Sequence, residues 1–222
     1  MTRRSYGQFC PVAGALDVVG DRWTLLIVRE LLLGPQRFTD LLAALPGIGT
    51  SLLATRLKQL EQAGAATRER LAPPAGATAY RLTARGEGLG PVVLALARWG
   101  RELLDSPAPG EPLRPELLGL YLAASADPTA FLGVRERYEV QVGEDAMHVE
   151  IDDGRAWARA GRAPGRTDLV LRMDQATFLE LALRDADLAT LVDTDRVDVT
   201  GDPAALSRAA HLFSTPPLSR ED

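Results

Sequence analysis

The chain has 222 residues, 46% of them apolar and 25% charged, enough to bury a core in one large domain or two small ones and ordinary for a globular protein. No apolar run reaches the roughly 18 residues a membrane span needs, and the basic start "MTRRSYGQFCPVAG" lacks the apolar block of a secretory signal. One cysteine cannot close an internal disulfide, so a cytoplasmic protein with no membrane partner is expected.

The net charge of −5 is unevenly divided. Residues 1–105 hold 13 Arg and Lys against 9 Asp and Glu, a net of +4, and residues 106–222 hold 12 against 21, a net of −9. Between them runs "DSPAPGEPLRPE", with four prolines from Pro107 to Pro115, which no helix tolerates. The expected division is a domain over 1–105, a proline-rich linker over 106–115 and a second domain over 116–222.

In chain order, "VAGALDVVG" sets Val12, Leu16 and Val19 on one helical face, and Gly20 ends it. "DRWTLLIVRELLLGP" is expected to start on Asp21 as cap and stop at Gly34-Pro35, a buried central helix. "RFTDLLAALPG" is a short helix halted by Pro46-Gly47. The next helix, capped by Thr50 or Ser51, recurs apolar at Leu53, Leu57 and Leu60. That stripe leaves Ser51, Thr55 and Lys58, the chain's one lysine, on the opposite face with Arg56 at the flank.

"AATRERLA" and "TAYRLTARG" read as two strands joined by "PPAGA", and they carry Arg68, Arg70, Arg81 and Arg85 against Glu69 alone. A last helix, "GPVVLALARWGRELL", aligns Val92, Leu96, Trp99 and Leu103, a stripe apolar enough to meet a second subunit. Short helices, a basic helix and a basic hairpin make a winged helix-turn-helix. Its helix fits a major groove and its hairpin reaches phosphates. The expected DNA-binding residues are Arg37, Thr39, Thr50, Ser51, Thr55, Arg56, Lys58, Arg68, Arg70 and Arg81.

From Tyr6 to Gly100 the chain resembles the HxlR family of bacterial, MarR-like transcription regulators. The resemblance rests on Cys10-Pro11, "GDRWTLLIVRELLLGPQRFTDL", "LATRLKQLE", "YRLTARG" and Trp99-Gly100. It implies a regulator, a repressor by expectation, that binds a double-stranded operator as a homodimer through its first and last helices. Ser51, Ala54 and Thr55 are shorter than the side chains often found at the recognition positions, and the wing tip "LAPPAGATA" is uncharged. More of the readout should then come through DNA shape and water. In several members of the family a cysteine before proline senses oxidants, so Cys10 is a candidate redox switch; its alternative role is to seat the first helix.

In the second half "ERYEVQVG", "AMHVEID", "RAWARAG" and "TDLVLRM" alternate as strands of a meander, with Asp153-Gly154 as a tight turn. "DQATFLELALRD" is a helix capped by Asp174, "RVDVTG" a strand, and Asp202-Pro203 opens a last helix. The fold class is α+β: a winged helix followed by a small sandwich with one sheet face covered. Residues 113–215, "VTGDPAAL" above all, resemble sterol-carrier-protein-like domains. The likeness implies an apolar cavity for a small-molecule effector, with Tyr138, Met147, Trp157, Leu171, Met173 and Phe178 as candidate lining or plain core.

His148 and His211 lack metal-ligand spacing, and no phosphate loop, dinucleotide fingerprint or nucleophile elbow stands out. No metal, cofactor or enzymatic activity is expected. A lipid carrier or adaptor whose helices serve dimerisation is the rival reading.

Overall fold

The computed structural model describes residues 5–71, 76–101, 103–104, 113–183 and 186–213. They fall into two units, Met1–Leu96 and Ala97–Asp222. Most of the proline-rich stretch 106–115 lies outside the described residues.

In the first unit, α1 (Pro11–Val19) begins with proline in its first turn, which costs no hydrogen bond there, and closes on Gly20. Asp21 does not cap the next helix: its carbonyl takes the Thr24 amide in one further turn, so α2 (Thr24–Leu32) starts from Trp23. A two-residue strand, β1 (Gln36–Arg37), precedes α3 (Phe38–Ala44). The helix α4 (Thr50–Gln62) is capped by neither Thr50 nor Ser51. Gly49 is its N-cap, because the Gly49 carbonyl already accepts from the Leu53 amide at 2.9 Å.

The wing pairs β2 (Ala66–Arg70) with β3 (Thr78–Leu82), Arg68 facing Tyr80, and β1 joins the other edge of β3. The first three residues of the expected wing turn, 73–77, lie outside the described ones. The second strand stops at Leu82. Thr83 ends it because its hydroxyl caps the short α5 (Ala84–Glu87), accepting from the Gly86 amide and donating to the Gly64 carbonyl. Arg85 therefore sits on a helix. After α5 comes α6 (Gly90–Arg101). Leu53, Leu57 and Leu60 are fully buried against Ile27, Val28, Leu31, Leu41 and Tyr80.

The second unit takes in the end of α6 from Ala97 and continues with α7 (Pro115–Ser125) and a 3₁₀ turn, Pro128–Phe131. A meander follows, β4 (Arg135–Val142), β5 (Asp145–Asp152) and β6 (Arg155–Ala160). Its second turn is Asp153-Gly154 with φ of 46° and 81°, left-handed backbone that suits Asp and Gly. The expected fourth meander strand, β7 (Leu169–Met173), instead crosses to the far side of β4 and runs parallel to it. The eight residues between β6 and β7 carry the chain past two strands, which a tight turn cannot do.

Then come α8 (Gln175–Leu183), a short α9 (Leu188–Asp193) that the sequence did not announce, β8 (Asp198–Gly201) and α10 (Pro203–Phe213). Strand order is β6-β5-β4-β7-β8. Alternation puts Tyr138, Val140, Met147, Val149, Leu169 and Leu171 on one face, buried with apolar residues of α7, α8 and α10, as the one-covered-face expectation required.

Candidate nucleic-acid interface

The interface is built on α4. Burying Leu53, Leu57 and Leu60 turns Thr50, Ser51, Ala54 and Lys58 outward, all exposed, with Thr55 half-buried beside them. The Thr55 hydroxyl donates back to the Ser51 carbonyl at 2.8 Å, so it meets a base edge only with its remaining acceptor capacity. Gly49 supplies no side-chain cap, and the first-turn amides of α4 keep no side-chain acceptor.

The arginines that looked alike in the sequence are in different states. Arg37 is spent on the start of α3: its Nε donates to Asp40 Oδ2 at 2.8 Å, and this hydrogen bond is the main cause that holds the Asp40 carboxyl below its usual range. Thr39, exposed beside it, leans its hydroxyl on the same carboxylate at 3.3 Å. Arg56 pairs with Asp21 and donates to Gln59 Oε1 at 2.7 Å. On the wing, Arg68 reaches Glu61 at 3.0 Å and stacks over the Tyr80 ring at 5.2 Å. Arg81 pairs with Glu69 at 2.9 Å. Lys58 and Arg70 are exposed and make no ion pair among the described residues. Arg85, which strand-reading had misplaced, is likewise exposed on α5.

Pairing lowers the field an arginine offers to an anion, and among the described residues Lys58, Arg70 and Arg85 carry no such ion pair. No spacing in the sequence separates these from the paired arginines. Glu61 lies seven residues before Arg68, and Asp21 lies 35 before Arg56.

Two further sets of expected residues lie elsewhere. Cys10 is exposed and occupies the N-cap position of α1 without a side-chain hydrogen bond. In the second unit Tyr138, Met147, Leu171, Met173 and Phe178 come together in one apolar core, while Trp157 faces the other side of the sheet, 38% exposed, because β6 turns Ala158 inward. Gly119 on α7 leaves room for the Met147 sulfur, where any Cβ would collide. One polar cluster reaches into this core: the Tyr138 hydroxyl donates to Glu136, whose carboxylate also takes Arg208 from α10. Burial, before that bond, raises the Tyr138 phenol far above its ordinary value.

Among the described residues no helix is long and apolar enough to cross a membrane. Residues 18–107 match the family described as HxlR-like helix-turn-helix. Residues 105–219 match the family described as alkyl sulfatase C-terminal. An uncharacterized HTH-type transcriptional regulator of Synechocystis is 37% identical over 99 residues, 45% of this chain and 73% of that one. The HTH-type regulator YvaP of Bacillus subtilis is 36% identical over 44% of this chain and 92% of its own. YodB, also of B. subtilis, is 33% identical over 43% and 87% respectively. The chain therefore belongs to the HxlR-like helix-turn-helix family of DNA-binding transcriptional regulators, and it carries an alkyl sulfatase C-terminal domain as its second half.

Proposed function

We propose that the protein is a cytoplasmic, homodimeric, one-component repressor without enzymatic activity of its own, in which α4 reads the operator and Lys58 and Arg70 hold phosphates. The observation that carries the reading is the polar face of α4, kept outward by three fully buried leucines and bearing an unpaired lysine. Dimerisation is supported by the apolar residues left in water on α1 and α6: Val12 66%, Leu16 42%, Val92 49%, Leu96 50% and Trp99 66% exposed. The second domain takes an apolar small molecule into the core around Tyr138, Met147, Leu171, Met173 and Phe178. Met147, unbranched and flexible, is the side chain best able to yield to it. Such an effector acts only by preferring one spacing of the paired recognition helices to another.

The test is fluorescence anisotropy on a duplex enriched from a random library by the wild-type protein. Lys58→Ala and Arg70→Ala each weaken binding to every sequence and lower the slope of log affinity against log salt by about one. Thr55→Ala relaxes preference at one position of each half-site. An unchanged affinity and slope in Arg70→Ala removes the wing from the interface. A second reading, switching by oxidation at Cys10, is favoured by its exposed thiol. Oxidant-dependent loss of duplex binding that Cys10→Ser abolishes is its test.

A further inference from the structure

We infer that Asp21 and Arg56 form a positioning pair that sets the recognition helix for specific reading, and that Arg56 is not a phosphate ligand. Arg56 lies on α4, where a basic side chain would ordinarily face DNA, yet its side chain is 18% exposed and its guanidinium is taken up by Asp21. Its other terminal nitrogen holds Gln59 Oε1 at 2.7 Å, and its Nε is buried with no partner among the described residues. Lys58, two residues on, is exposed and makes no ion pair among the described residues. A phosphate approaching Arg56 would have to displace a carboxylate that itself repels the phosphate, whereas Lys58 presents no such competitor.

The place of Asp21 gives the pair its role. It follows Gly20, which ends α1, and its carbonyl starts the turn into α2 by accepting from the Thr24 amide at 2.9 Å. The same α1 ties down the chain before it, since Asp17 takes the Ser5 hydroxyl and the Tyr6 amide, each at 2.9 Å. The ion pair thus joins the corner between α1 and α2 to the middle of α4, 35 residues away in sequence. It fixes the angle at which α4 leaves the core. Base-specific contacts depend on that angle, while non-specific attraction to phosphates does not.

Anisotropy titrations decide it, on the wild-type-enriched duplex and on a scrambled duplex of equal composition, between 50 and 200 mM salt. Asp21→Asn, Arg56→Gln and the double variant are compared, each with its thermal melt. The expected result is about tenfold weaker binding of the enriched duplex in each single variant, with the double no weaker than either. Binding of the scrambled duplex and all salt slopes stay as in wild type. Tighter binding by Asp21→Asn, or a slope lowered by about one in Arg56→Gln, makes Arg56 a phosphate ligand and overturns the inference. Additive losses overturn it as well, and so does wild-type behaviour in all three variants. A variant that loses both duplexes together with its melting transition assigns the pair to folding alone, and the inference fails.

Discussion

In the second unit four of the five helical segments among the described residues start on aspartates, and α7 starts from Arg114 with no side-chain cap. Asp174 takes the Thr177 amide at the head of α8, Asp187 that of Thr190 at α9, Asp202 that of Ala204 at α10, and Asp127 that of Thr129 at the 3₁₀ turn. In the first unit α1, α2 and α4 start from Cys10, Trp23 and Gly49 with no side-chain cap, while α3 and α5 use Asp40 and Thr83. The same contrast holds for apolar surface. Among the described residues from Leu113 on, the exposed large apolar side chains are Leu132 and Trp157, while α1 and α6 leave Val12, Leu16, Val92, Leu96 and Trp99 in water. The sheet residues thus satisfy more of their helix starts and cover more of their apolar surface than α1, α2, α4 and α6 do. The surplus of acid in residues 106–222 thus has a structural use as caps, and its near absence at the helix starts of the first unit leaves donors that suit a polyanion.

The largest expected effect separates the two kinds of apolar residue. Phe178→Ala removes a fully buried ring and costs about 3–5 kcal/mol in a urea titration. Trp99→Ala, at a residue 66% exposed, changes the unfolding of the dilute single chain by less than about 0.5 kcal/mol. It instead shifts the light-scattering mass toward the 23.9 kDa of one chain. A Trp99→Ala protein with unaltered mass would break the comparison, because the exposed stripe would then be ordinary surface.

Next in size is the Glu136–Tyr138–Arg208 cluster of the sheet unit. Arg208→Ala leaves the Glu136 carboxylate, 13% exposed, with only the Tyr138 hydroxyl to satisfy it, at a cost of about 2 kcal/mol once the partial exposure of Arg208 is allowed for. Adding Glu136→Gln removes the stranded charge and recovers part of that loss, which a double-mutant cycle measures. A loss that Glu136→Gln leaves untouched would mean that Arg208 acts through packing of its stem alone.

What was legible in the sequence follows from what is local. The leucine stripe of α4, the Asp153-Gly154 turn and the Asp174 cap depend on residues a few positions apart, and each is where the pattern put it. Three features were misread where a distant partner decided. Asp21 looked like a cap because it precedes an apolar run, but its carboxylate is taken by Arg56. Thr83 looked like a strand residue, but the Gly64 carbonyl draws its hydroxyl into a helix start. Strand β7 looked like the next turn of a meander, and only its parallel pairing with β4 shows the crossover. The candidate interface shows the same limit: residue type placed the arginines near DNA, but only their carboxylate partners distinguish free from occupied. Trp157 fell outside the apolar group for a simpler reason, since on β6 the small Ala158 faces inward and strict alternation turns the tryptophan out.

The smallest effect tests the capping half of the comparison. The amide of Thr177 is the main cause that holds Asp174 below the ordinary carboxyl value, so the folded protein binds its proton less readily than the unfolded chain. The stabilisation is therefore fully present above the unfolded value of 3.8 and is lost as the pH falls through the lower folded value. Asp174→Ala should cost about 1 kcal/mol at neutral pH. Its deficit against wild type should shrink as urea titrations are carried from pH 5 down to pH 2, because the protonated wild-type side chain caps less well. Thr50→Ala, at the start of α4 where Gly49 and not a side chain is the N-cap, should show no such acid-dependent difference. A deficit in Asp174→Ala that stays constant with pH would mean that the aspartate contributes through its shape and not its charge. The contrast between capped and bare helix starts would then carry no electrostatic content.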